Sequence, residues 1–149
     1  MPDLIEVKLA TLEDYLNELA PHLDASEEAY LRSRNERRIV ERLAQVVVDS
    51  AVEVNVLLIE RYAEDVPASE RQSFEEMHIL GAIDAHLLDR FQRHVGFRNR
   101  IVGDFDVLDN RMVFSVAKRL LDDARAYVRS VQHFMLLREG EAQGVMRET

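Results

Sequence analysis

The chain has 149 residues, 47% of them apolar and 32% charged, which fits one domain with a substantial core and excludes a disordered chain. With no Cys, five Gly and three Pro, it offers no disulfide or thiolate metal site and little turn chemistry for a many-stranded β fold. The formal net charge of −9 argues against broad nucleic-acid affinity, yet nine of the nineteen Lys and Arg fall in two short segments, 32–42 and 90–100.

Leu4, Ile5, Leu9, Leu12, Leu16, Leu19 and Leu23 fall near helical spacing and predict a first helix over 4–22. Pro21 is expected to end it, because the residue before a proline avoids the helical region. Asp24 or Ser26 then caps a second helix running to about Tyr62, with Leu43, Val46, Val47, Ser50, Val54, Leu57 and Leu58 as its stripe. Unbroken from Glu27, that helix would be about 54 Å long at 1.5 Å per residue, so a bend or break is expected near Ser33–Glu36. Residues 64–72, with Pro67, read as a loop. Ser69–Gln72 and Ser73–Glu76 both match a capping box, and a short helix over about 70–79 leads to Gly81. The next helix starts near Asp84 and ends near Gly103, whose expected backbone role is a left-handed cap. A second loop follows to residue 110. Asp109 can cap the last helix, whose repeat from Val113 through Leu120 and Tyr127 to Met135 carries it to about Arg138. The tail 139–149 has two Gly and no stripe, so it is expected to fray. The predicted fold is one all-α, up-and-down antiparallel helical bundle over 1–138.

No apolar run approaches the roughly 18 residues of a membrane span, and the Met-Pro-Asp start has no signal-peptide pattern. A cytoplasmic protein without membrane contact is expected. The usual catalytic signatures are missing: there is no Gly-rich phosphate loop and no H-E-x-x-H. The five His form no i,i+3 or i,i+4 pair. Glu75-Glu-Met-His78 fits the Glu-x-x-His pattern of a di-iron bundle once, where two copies are needed. No metal and no cofactor are expected. Segment 90–100 carries Arg90, Arg93, Arg98, Arg100 and His94 with no acid, and reads as an RNA-binding surface. Segment 32–42 has five Arg and two Glu. It reads equally well as a solvated helix face with pairs such as Arg37–Glu41.

The most informative stretch is Gly96-Phe-Arg-Asn-Arg-Ile-Val-Gly-Asp-Phe-Asp-Val-Leu-Asp109. It resembles the HepT branch of the HEPN superfamily, whose third main helix ends in G-F-R-N-x-x-V-H-x-Y-x-x-x-D. Gly96, Phe97, Arg98, Asn99, Val102 and Asp109 match. The resemblance covers roughly 36–135 and includes the stripe Glu41–Asp49, the Pro67 loop, the Phe74 region and Ile83-Asp84 in the family's order. It implies a homodimer joined through the helix bearing Arg98, an RNA target (often tRNA), and a minimal nucleotidyltransferase antitoxin as partner. It also implies a metal-independent ribonuclease whose motif is Arg, four residues, His.

This chain departs from that motif. Arg98 fills the first position and Asn99 follows it, but the histidine position is Gly103. The tyrosine that the partner modifies with AMP is Phe105, which has no hydroxyl to modify. RNA cleavage by the ribose 2′-OH needs a base, an acid and positive charge at the phosphate. Arg98 can supply the charge; Gly103 cannot transfer a proton. Three readings follow. Cleavage is weakened or lost; or His94, one turn before Arg98, substitutes as the proton carrier; or the chain is a non-catalytic module that binds RNA or its partner. For His94 the competing reading is an exposed histidine on a basic face.

Overall fold

The computed structural model describes residues 3–103 and 109–148, with side chains through Ala142. Six helices follow one another: α1 (Leu4–Leu23), α2 (Glu27–Arg32), α3 (Arg34–Ala63), α4 (Glu70–Leu80), α5 (Ala85–Val102) and α6 (Asn110–Glu148). No strand occurs among the described residues. α3 is the hub and packs against every other helix, while α6 closes the bundle against α1, α2 and α5.

α1 starts at Asp3, whose carboxylate accepts from Ile5 N at 2.8 Å. The same carboxylate receives both terminal nitrogens of Arg61 at the far end of α3, at 2.5 and 2.8 Å. One residue thus caps α1 and fixes it antiparallel to α3. Ile5, Leu9, Leu12, Leu16, Leu19 and Leu23 are buried at 4-3-4-3-4 spacing, which is one helical face. Pro21 does not end α1 as expected; the helix runs through it to Leu23. Proline's ring disfavours the helix by crowding the carbonyl four residues back. Here it falls in the last turn, where burial of Leu19 and Leu23 holds the chain, and Asp24 N–H closes the turn on Pro21 O at 3.4 Å.

The expected break in the long second helix is at Ser33, which is extended at φ −109°, ψ 108°. It ends α2 and caps α3, its Oγ accepting from Glu36 N at 3.2 Å. Arg37 donates to the Leu31 carbonyl at 2.5 Å and so satisfies an acceptor that the ending helix leaves open. The break lets Tyr30 stack on Phe114 of α6 with ring centroids 4.8 Å apart.

Of the two capping boxes, Ser69 is the one in use. Its Oγ accepts from Gln72 N at 3.1 Å, and Gln72 Oε1 accepts from Ala68 N at 2.6 Å. Ser73 is instead buried inside α4. It receives Asn55 Nδ2 at 3.0 Å, and Asn55 Oδ1 accepts from Tyr127. This buried chain of polar groups ties α3, α4 and α6 together, with Phe74 and Phe91 stacked beside it at 5.0 Å. α4 ends at Gly81, where φ of +87° favours glycine. Asp109 caps α6, accepting from Arg111 N at 3.0 Å.

The last helix continues to Glu148 rather than stopping near Arg138. Residues 139–148 are mostly good helix formers (Glu, Ala, Gln, Met, Arg) that extend an existing helix without a new nucleus. Gly140 and Gly144 each weaken it by only about 1 kcal/mol.

Candidate functional site

α5 carries the motif and sets its geometry. Asp84 caps it, accepting from Leu87 N at 2.8 Å, and Leu87, Phe91, Val95 and Ile101 bury its apolar side. Gly96 has a specific packing role. A Cβ there would stand 3.0 Å from Arg71 Nη2. Glycine lets the Arg71 side chain cross from α4 to donate to the Gln92 carbonyl at 3.1 Å, while Gln92 Nε2 returns a bond to Arg71 O at 3.0 Å.

Arg98 is 9% exposed. Its two terminal nitrogens donate to Asp49 of α3 and Glu70 of α4, and its Nε donates to Asn99 Oδ1 at 2.9 Å. Burial works against its charge, but the Glu70 hydrogen bond and the charges of Glu70 and Asp49 outweigh it; its pKa is raised and it stays protonated. The guanidinium is therefore held in one orientation where α3, α4 and α5 meet. Asp49, Glu70 and Asn99 flank it at the surface.

Gly103 lies one residue past α5, exposed, with its N–H on Asn99 O at 3.0 Å. The expectation of a left-handed cap is corrected: its φ is −71° and ψ −5°. The backbone there is ordinary right-handed helix, open to any L residue. Phe105 lies outside the described residues.

His94 fits neither expectation. It is neither exposed nor turned toward Arg98. It is 3% exposed, and its Nε2 stands 2.7 Å from Asp123 Oδ2 of α6. Arg90 Nε shares that oxygen at 2.9 Å. A carboxylate can only accept, so Nε2 carries the proton. Burial lowers the His94 pKa more than Asp123 raises it, with Arg90 and Arg119 adding to the decrease. Within one chain His94 packs between α5 and α6 and meets Asp123 rather than Arg98. Four residues of separation put Arg98 and His94 on adjacent turns, yet they reach different neighbours, α3 and α4 in one case and α6 in the other.

The predicted RNA-binding arginines divide the same way. Arg93 and Arg100 line a groove between α5 and α6 with His94, Phe97, Met112 and Arg119. Arg90 enters its wall through Asp123, and Arg98 is absent from it. Arg93 pairs with Asp89 at 3.3 Å. Arg100 and Arg119 form no salt bridge among the described residues. Sequence reasoning missed Asp49, Glu70, Asp123 and Arg119. Asp123 had a signal, since it sits three residues after Leu120 and four before Tyr127 on the buried stripe of α6. The described residues contain no group of three or more His, Asp or Glu able to hold a metal ion. No described helix is long and apolar enough to cross a membrane.

The fold is that of HEPN toxins. The structure of an AMPylated HEPN toxin of Shewanella oneidensis in complex with its MNT antitoxin superposes with a TM-score of 0.80 at 20% identity, covering 89% of this chain and 99% of that one. YutE of Bacillus subtilis, a cytosolic protein of unknown function, gives a TM-score of 0.69 at 10% identity over 87% and 91%. In sequence, the tRNA nuclease HepT of Aphanizomenon flos-aquae (strain 2012/KM1/D3) is 26% identical over 140 residues, 94% of this chain and 95% of that protein. The model of the Ribonuclease HepT-like family matches residues 12–131, and the chain belongs to that family.

Proposed function

We propose that this protein is the RNA-directed toxin of a cytoplasmic toxin–antitoxin pair, with a minimal nucleotidyltransferase as antitoxin, in which cleavage of RNA is weakened or lost. The observation that carries the reading is the end of α5. Arg98 is in place, charged and oriented, while Gly103 brings no group that can move a proton. General acid–base catalysis contributes roughly 10²–10⁴-fold, and Gly103 supplies none of it. Arg98 can still stabilise charge on a phosphate, so binding survives where turnover does not. The related tRNA nuclease and the toxin–antitoxin complexes of like fold support tRNA as the target and an antitoxin as the partner.

The reading includes a homodimer built around α5. The stripes of α3 and α6 are buried within the chain and do not call for a second copy. Support comes from two exposed apolar side chains, Val102 in the last turn of α5 at 61% and Met112 in the α5–α6 groove at 45%.

The test is cleavage of a mixed tRNA pool by the natural chain, Gly103→His and Arg98→Ala. Because φ at Gly103 is negative, the histidine variant carries no backbone penalty and should fold normally by circular dichroism. It is expected to cleave about 10²–10⁴-fold faster than the natural chain, and Arg98→Ala should show no cleavage. Equal rates for the natural chain and Gly103→His would overturn the disabled-site reading.

A further inference from the structure

The Arg98 cluster poses a charge problem. One guanidinium is held by two carboxylates, Asp49 and Glu70, so these three side chains together carry a net charge of about −1 where a phosphodiester has to approach. Arg98 therefore needs further cations beside it to hold a phosphodiester. Arg98 does not line the α5–α6 groove.

α3 offers the missing charge. Arg34, Arg38, Arg42, Gln45 and Asp49 follow one another at spacings of four, four, three and four, which is one face of a helix. The three arginines are exposed, and none forms a salt bridge among the described residues. Glu18 of α1 faces Arg38 and Arg42 across a shallow groove without pairing with them. The arrangement does not serve the helix. Like charges at i,i+4 repel, and cations in the first turn oppose the helix dipole. Successive arginines rise about 6 Å along the axis, and Arg42 lies about 10 Å before Asp49. The ladder therefore leads to the Arg98 cluster along a single face.

We infer that Arg34, Arg38 and Arg42 form a phosphate-binding track on α3 that holds an RNA strand beside Arg98. The inference rests on the RNA-directed reading above. Guanidinium forks suit phosphate oxygens, and a ladder of even steps suits a polymer of evenly spaced charge. An acidic protein surface is the competing partner and is an outcome of the test.

The experiment measures the affinity for a mixed tRNA pool against salt concentration. It compares the natural chain with Arg38→Ala/Arg42→Ala, Arg38→Lys/Arg42→Lys, and Arg125→Ala/Arg129→Ala, which removes equal charge from exposed α6 positions. Each phosphate contact contributes about 0.7–0.9 to the slope of log K against log salt. The first variant should flatten the slope by roughly 1.4–1.8, the lysine variant should retain most of it, and the α6 variant should retain all of it. Natural-chain binding with an unchanged slope in Arg38→Ala/Arg42→Ala overturns the track and leaves the proposed function standing. Equal flattening in the α6 variant reduces the effect to net charge and also overturns it. Loss of the nucleotidyltransferase on co-purification with the RNA slope intact assigns the ladder to a protein partner instead. Absence of salt-dependent binding by the natural chain removes the RNA-directed reading itself.

Discussion

Two buried basic residues one turn apart on α5 meet opposite electrostatic fates. Arg98 has two carboxylates and keeps its charge; His94 shares one carboxylate oxygen with Arg90, and burial lowers its pKa. Its lowered pKa has a consequence for stability. Between the folded value and the usual 6.5, the unfolded chain binds the proton more readily, so stability is full above about pH 6.5 and falls as pH drops through that window. His94→Gln should flatten this part of the pH profile. His94→Ala, which also leaves Asp123 short of a partner, should cost about 1–3 kcal/mol at neutral pH. Urea unfolding at several pH values measures both. A stability profile flat from pH 7 to pH 5 in the natural chain would sink the assignment.

At the scale of helices, capping residues decide the boundaries. Ser33 serves two elements, and Ser33→Ala should cost about 0.5–2 kcal/mol through loss of the α3 cap. Chemical denaturation measures that cost, and a loss within error would show that tertiary packing alone sets the break. The element order was legible in the sequence because periodic leucines and valines, Ser and Asp caps and Gly81 all act locally. The break at Ser33 was legible from length. The extension of α6 was not, since glycines in a tail weaken a helix without ending it. Within the site, Arg98 and Gly103 could be read from the motif. The partners of Arg98 could not, because Asp49 and Glu70 lie 49 and 28 residues away and are brought to it only by the packing of α3 and α4. His94 was misread because spacing gives the face of a helix but not the neighbour that covers it.

At the scale of the whole molecule, the apolar stripes are satisfied within one chain, and the remaining exposed apolar groups near the site include Val102 and Met112. Sedimentation at micromolar concentration should give twice the 17.2 kDa chain mass. Met112→Glu should shift the boundary toward the monomer without loss of helical content. A natural chain that sediments as 17.2 kDa removes the dimer.

The clamp between Asp3 and Arg61 has a bearing on how the protein is made. α1 leaves the ribosome before α3, and the arginine that anchors it follows 58 residues later. At synthesis rates of about 5–20 residues per second, six buried-face leucines and isoleucines wait roughly 3–12 s for α3 to arrive. The α6 surface that completes their cover comes later still. During that interval the nascent chain presents an uncovered apolar helix to chaperones and to its neighbours on the same messenger. A chain cut short before Arg61 would keep that face exposed permanently.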